Sequence, residues 1–152
     1  MSAQASHWVS KDTGYAKVAR ILKTGGHLAL FWNLHPDFQG QITDQLDEIY
    51  REIAPELDNQ PKKSIEETIL ERFEDIRASG CFGPVTIRRF PWSRIYQTGK
   101  YVGLLNTYSD HLRLSEQTRQ RLFEGIVGVI KTHGGSIKQE YVTVLYVAQK
   151  LS

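Results

Sequence analysis

The run Leu22-Lys23-Thr24-Gly25-Gly26, followed without a break by His27-Leu28-Ala29-Leu30-Phe31-Trp32-Asn33, constrains this chain more than any other stretch. Ahead of it, Tyr15, Val18, Ala19 and Leu22 recur at i, i+3, i+4 and i+7. That spacing predicts a helix with one apolar face, capped by Asp12 or Thr13. The helix stops at Lys23, and the paired glycines reverse the backbone, because Gly enters the left-handed region that closes a helix without a steric penalty. One of the two is expected to have positive φ. The segment from His27 to Trp32 is then an apolar run too short for a helix. Placed straight after a tight turn, it predicts a strand buried on both faces, of the kind found in parallel sheets.

The remainder alternates in the same way. Pro36 and Gly40 mark a loop; Ile42, Leu46, Ile49 and Ile53 predict a second helix limited by Pro55. After a polar connector, Ser64 and Glu67 form a capping-box pattern, opening a third helix that turns Ile65, Ile69, Phe73 and Ile76 inward and ends at Gly80. Residues 84–92 predict a second strand whose Pro91 marks an edge or a bulge. Tyr101, Leu104, Leu105 and Tyr108 suit a short helix. Ser115 caps a longer one carrying Leu122, Ile126, Val129 and Ile130, closed by Gly134-Gly135. Residues 137–149 are the last and longest strand, apolar on both faces around Tyr141–Ala148 apart from Thr143, and so expected inside the sheet. Helices alternating with short strands predict an α/β fold, and 152 residues predict a single domain over 1–152.

Composition narrows the function. The 19 basic and 17 acidic residues are well mixed, which speaks against a nucleic-acid-binding stripe. The longest apolar runs fall far below the ~18 residues of a membrane span. No signal-peptide pattern opens the chain. The single cysteine, Cys81, excludes an internal disulfide, fits a cytoplasmic location and reads as a small core residue. His27, His35 and His133 have no partner at metal-ligand spacing, so no metal site is expected. No Ser/His/Asp arrangement stands out.

Three segments together carry a family resemblance: Gln4-Ala5 and His7-Trp8 near the start, Leu22–Gly26 before the apolar strand, and Gly134-Gly135 with Ile137 and Tyr141 near the end. They resemble the class I S-adenosylmethionine-dependent methyltransferases of the small-molecule type, from just after the fourth strand onward. The resemblance implies a truncated Rossmann-like fold, a three-stranded mixed sheet (strands near 27–32, 84–92 and 137–149) packed with about five helices. The last strand would lie between the other two, with 27–32 at one edge and 84–92 at the other. Four strands of the family's sheet would be missing.

Site residues follow residue by residue. His7 and Trp8 correspond to the family's pair at the cofactor and substrate cleft, hence cofactor-binding. Trp32 and Asn33 sit at the carboxyl end of a strand, where α/β folds bind ligands. Tyr108, Ser109 and His111 match a substrate-side segment, and His111 has the chemistry of a general base. The family also needs a glycine-rich turn after its first strand and an acidic ribose ligand, and neither is found in these residues. The expectation is therefore a partial methyltransferase-like protein that binds no S-adenosylmethionine and lacks activity alone. It would form a homodimer through the side exposed by the missing strands and contact neither nucleic acid nor membrane. Two other readings stay open: an active methyltransferase completed by a partner chain or by dimerisation, and a module binding a small apolar ligand among Trp8, Trp32, Trp92, Tyr96, Tyr101 and Tyr108.

Overall fold

A computed structural model describes residues 2–3, 11–36, 40–58 and 63–151. In chain order it contains β1 (Ser2–Ala3), α1 (Lys11–Ile21), β2 (His27–Leu34), α2 (Gln41–Ile53), α3 (Pro55–Asp58), α4 (Ile65–Ala78), β3 (Thr86–Gln97), α5 (Thr98–Leu105), a 3-10 turn (His111–Arg113), α6 (Glu116–Thr132) and β4 (Ser136–Gln149). The fold is α/β, and its strands lie in the order β1-β2-β4-β3. The last strand thus sits between β2 and β3, as the resemblance implied. β2 and β4 pair antiparallel from His27 opposite Gln149 to Leu34 opposite Val142.

Local chemistry explains most boundaries. Ser64 Oγ accepts from the Glu67 N–H at 3.1 Å while Glu67 Oε2 accepts from the Ser64 N–H at 2.8 Å, a complete capping box at the start of α4. Ser115 Oγ caps α6 by accepting from Thr118 N–H. In the turn before β2, Gly25 has φ +75°, whereas Gly26 is required by space: a Cβ there would lie 2.8 Å from the Lys23 carbonyl oxygen. Gly25→Val is expected to destabilise the protein by more than about 1 kcal/mol, since a β-branched residue fits the left-handed region poorly. Denaturant titration checks this; a change within error would contradict it.

Four expectations need correction. The sheet has four strands rather than three, because Ser2 and Ala3 pair parallel with Leu30 and Phe31. Accordingly β2 is not a bare edge, and the sheet is mixed only through β1. The strand expected at 84–92 runs from Thr86 to Gln97, straight through Pro91, which an outermost strand tolerates because its outer side needs no donor. Pro55 does not merely stop a helix; it opens α3, its fixed φ and missing N–H suiting a first turn. Finally, α1 already includes Lys11, so neither Asp12 nor Thr13 is its cap.

The chain forms two compact units. The first, residues 1–36, 63–92 and 140–152, has a core of Leu28, Leu30, Trp32, Ile69, Ile76, Phe82, Val144, Tyr146 and Ala148, in which the helices pack on one face of the sheet. The second, residues 37–62 and 93–139, is built around Leu46, Ala54, Leu105, Leu114, Leu122, Ile126, Ile130 and Ile137. There α2 and α6 approach so closely that a Cβ on Gly125 would lie 3.0 Å from Ile49. That glycine serves packing.

Candidate functional site

In the first unit, polar chemistry gathers where β2 ends. Trp32 and Asn33 are neighbours in sequence and therefore point to opposite faces of the sheet. Trp32 is 6% exposed and packs edge-on against Tyr146, with ring centroids 5.7 Å apart. The Arg72 guanidinium, carried by α4, lies 4.1 Å over the indole, and burial pulls its pKa below the ordinary value. Neither Trp32 Nε1 nor Arg72 Nη1 meets an acceptor. On the other face Asn33 Oδ1 accepts from Thr143 Oγ1 at 2.6 Å, and Thr143 Oγ1 accepts from Trp92 Nε1 at 2.9 Å. The Trp92 ring stacks on Tyr141 at 4.2 Å and 12°. His35, two residues beyond Asn33, tilts against Tyr141 at 4.8 Å, and burial lowers its pKa.

The second unit holds a more complete constellation. His111 is 5% exposed. Its Nδ1 lies 2.7 Å from Asp110 Oδ1, and its Nε2 lies 2.8 Å from the Tyr50 hydroxyl. An ionised carboxylate only accepts, so Nδ1 carries the proton and Nε2 accepts from Tyr50. Burial works against the Asp110 charge, but hydrogen bonds from the His111 ring and backbone outweigh it and hold the carboxyl below its usual range. Burial, together with the nearby Tyr101 and Asp110, pushes the Tyr50 phenol far up, so it stays protonated and donates. Tyr101 is pushed up to about 12 by burial and then by Tyr108 and Tyr96. Tyr108 meets the His111 ring edge-on at 5.7 Å, and Phe123 stacks on it at 6.1 Å. This is a buried imidazole held at both ring nitrogens, by Asp110 and by Tyr50, inside an aromatic wall.

Of the residues expected from sequence, His7 and Trp8 lie outside the described residues. Trp32 and Asn33 belong to the first unit and turn apart. Tyr108 and His111 meet in the second; Ser109, between them, is exposed on a turn. Sequence reasoning missed Tyr50 and Asp110. The Asp-His pair itself was a readable signal for Asp110; nothing local pointed to Tyr50, which lies 61 residues from its partner. Among the described residues no group of three His, Cys, Asp or Glu side chains is placed to hold a metal ion, and no helix is long and apolar enough to cross a membrane.

No protein-family profile matches the sequence. An uncharacterised methyltransferase-like protein of Schizosaccharomyces pombe is 23% identical over 99% of this chain and 57% of its own length. Among solved structures, a protein of Anaeromyxobacter dehalogenans described as a type II methyltransferase superposes with a TM-score of 0.55 at 14% identity, over 97% of this chain and 62% of that one. The chain thus spans 57% and 62% of the lengths of these two relatives. In sequence it is similar to the methyltransferase-like protein of Schizosaccharomyces pombe, and over that part of its length it shares the fold of the Anaeromyxobacter dehalogenans protein.

Proposed function

We propose that this chain is the acceptor-side portion of a class I S-adenosylmethionine-dependent methyltransferase domain, without cofactor affinity or catalytic competence of its own, and that it associates as a homodimer. One observation carries the reading: β4 lies between β2 and β3, antiparallel to a β2 that carries Trp32 and Asn33 near its carboxyl end. The methyltransferase-like relatives add support. The described residues offer no glycine-rich cradle for the cofactor. Among the described residues the glycines of positive φ stand next to helix ends, at Gly25, Gly40, Gly80, Gly134 and Gly135. None belongs to a glycine-rich turn joining a parallel strand to a helix, which is where such folds let backbone approach a nucleotide. What this chain offers is the acceptor's environment. Tyr108, Ser109 and His111, the last oriented by Asp110, belong to that side.

Supplying a cofactor half tests the reading. A fusion that places strands one to four of a class I methyltransferase, with their glycine-rich loop, ahead of Met1 is expected to bind S-adenosylmethionine. A folded fusion without affinity would overturn it. The dimer has its own support. Among the described residues β1 covers Leu30 and Phe31 of β2, and Ile21, just before the Gly-Gly turn, is 72% exposed. A short covering strand beside exposed apolar surface favours association. Light scattering coupled to gel filtration is expected to give twice the 17.4 kDa chain mass, and a value at 17.4 kDa would contradict it.

A further inference from the structure

β3 is the outermost strand, and its alternate residues part to opposite faces. Ile87 packs into the core under α4, and Arg89 makes a two-pronged ion pair with Glu66 of that helix at 2.6 and 2.8 Å. Trp92 turns the other way, toward Thr143. Arg88 and Phe90 share the parity of Trp92 and so its face. Trp92 is fixed in place: its N–H donates to Thr143, Thr143 is anchored on Asn33, and one ring face lies flat on Tyr141. Tyr141 is only 5% exposed, yet Trp92 is 39% exposed, so its open area is the outer ring face and rim. Phe90 is 52% exposed. Arg88 is exposed and makes no ion pair or side-chain hydrogen bond among the described residues.

An immobilised indole with an open face, a second exposed ring beside it and a free guanidinium two residues further along form a recognisable chemistry. We propose that Arg88, Phe90 and Trp92 bind a planar aromatic anion, an aryl phosphate or aryl carboxylate. Its ring stacks on Trp92 against Phe90, and its acidic group accepts from the Arg88 fork. The spacing suits such a ligand: alternate residues on one strand face stand roughly 7 Å apart, so a fused bicyclic ring spans both aromatics and an extended arginine reaches its acidic substituent. Arg88 disfavours a cationic ligand. Because the indole is already held, little side-chain entropy is lost on stacking, which is the general advantage of preorganisation. The site lies wholly on residues of the first unit and does not depend on the methyl-transfer reading.

Calorimetric titration of the whole chain tests it with four probes: 2-naphthyl phosphate, 2-naphthoate, 2-naphthol and inorganic phosphate. Saturable binding is expected for at least one of the two naphthyl acids, and which of them binds distinguishes the phosphate source from the carboxylate. The neutral naphthol and the phosphate alone are expected to bind at least about tenfold more weakly, since each satisfies only half of the site. Arg88→Gln and Trp92→Ala should each weaken the acid by about tenfold or more. Should Trp92→Ala fail to fold, Arg88→Gln and Phe90→Ser on the exposed strand carry the test. Absence of saturable binding by both naphthyl acids, or affinity unchanged in Arg88→Gln and Phe90→Ser, would overturn the proposal.

Discussion

Tyr146→Ala is expected to destabilise the first unit by about 3–5 kcal/mol, the range for deleting a fully buried aromatic ring. Tyr146 is 0% exposed at the centre of that core, where it holds Trp32 edge-on. Removing it strips one wall from the indole and leaves a cavity bounded by β2, β4 and α4. The ring matters here far more than the hydroxyl. Tyr146 Oη donates to the Ile69 carbonyl at 3.4 Å, long for an O–H···O bond. Tyr146→Phe is therefore expected to change stability by about 1 kcal/mol or less. Urea denaturation of both variants separates the two contributions. Equal losses would show that the hydroxyl, not the packing, is the anchor.

The second large effect is expected at His111. His111→Ala removes the acceptor of a buried tyrosine hydroxyl, the partner of a carboxylate and the ring between Tyr108 and Phe123. An orphaned buried donor alone costs about 1–3 kcal/mol, and the cavity adds to it, so a loss of about 2–4 kcal/mol is expected. Tyr50→Phe removes only one hydrogen bond and should cost about 1 kcal/mol. The double variant should be less destabilised than the sum, because the two side chains act through one bond. An additive double variant would mean that the Tyr50–His111 bond contributes nothing. The acid limb gives a second readout. Asp110 has a folded-state pKa below its unfolded value. Its stabilisation is therefore fully present above the ordinary carboxylate pKa of about 3.9 and is lost as pH falls through the lower folded value. His111→Ala takes away the partner that depresses it, so stability should fall less steeply with acid than in the parent.

Local signals were legible and distant ones were not. The Ser64–Glu67 box, the Gly25-Gly26 turn and the Ser115 cap each involve residues a few positions apart, and the chain adopts each as its sequence implies. The central position of β4 was also legible, since a strand apolar on both faces needs neighbours on both sides. Pro91 marked an edge strand, as found, but not the strand's end: in an interior strand it would break the ladder, whereas at the edge the strand runs on to Gln97. Ser2–Ala3 carries no strand signal of its own and acquires one only by lying beside Leu30 and Phe31. The sites were least legible of all. The Tyr50–His111, Trp92–Thr143 and Thr143–Asn33 bonds join residues brought together only by tertiary structure. Adjacent candidates such as Trp32 and Asn33 were separated by the pleat, which sends neighbours to opposite faces.

On the proposed reading these 152 residues hold the acceptor side of a methyltransferase domain and not its cofactor site. Isothermal titration of the purified chain with S-adenosylmethionine tests it most directly. No saturable heat is expected at cofactor concentrations up to the millimolar range. Saturable binding in the low-micromolar range by the isolated chain would contradict it.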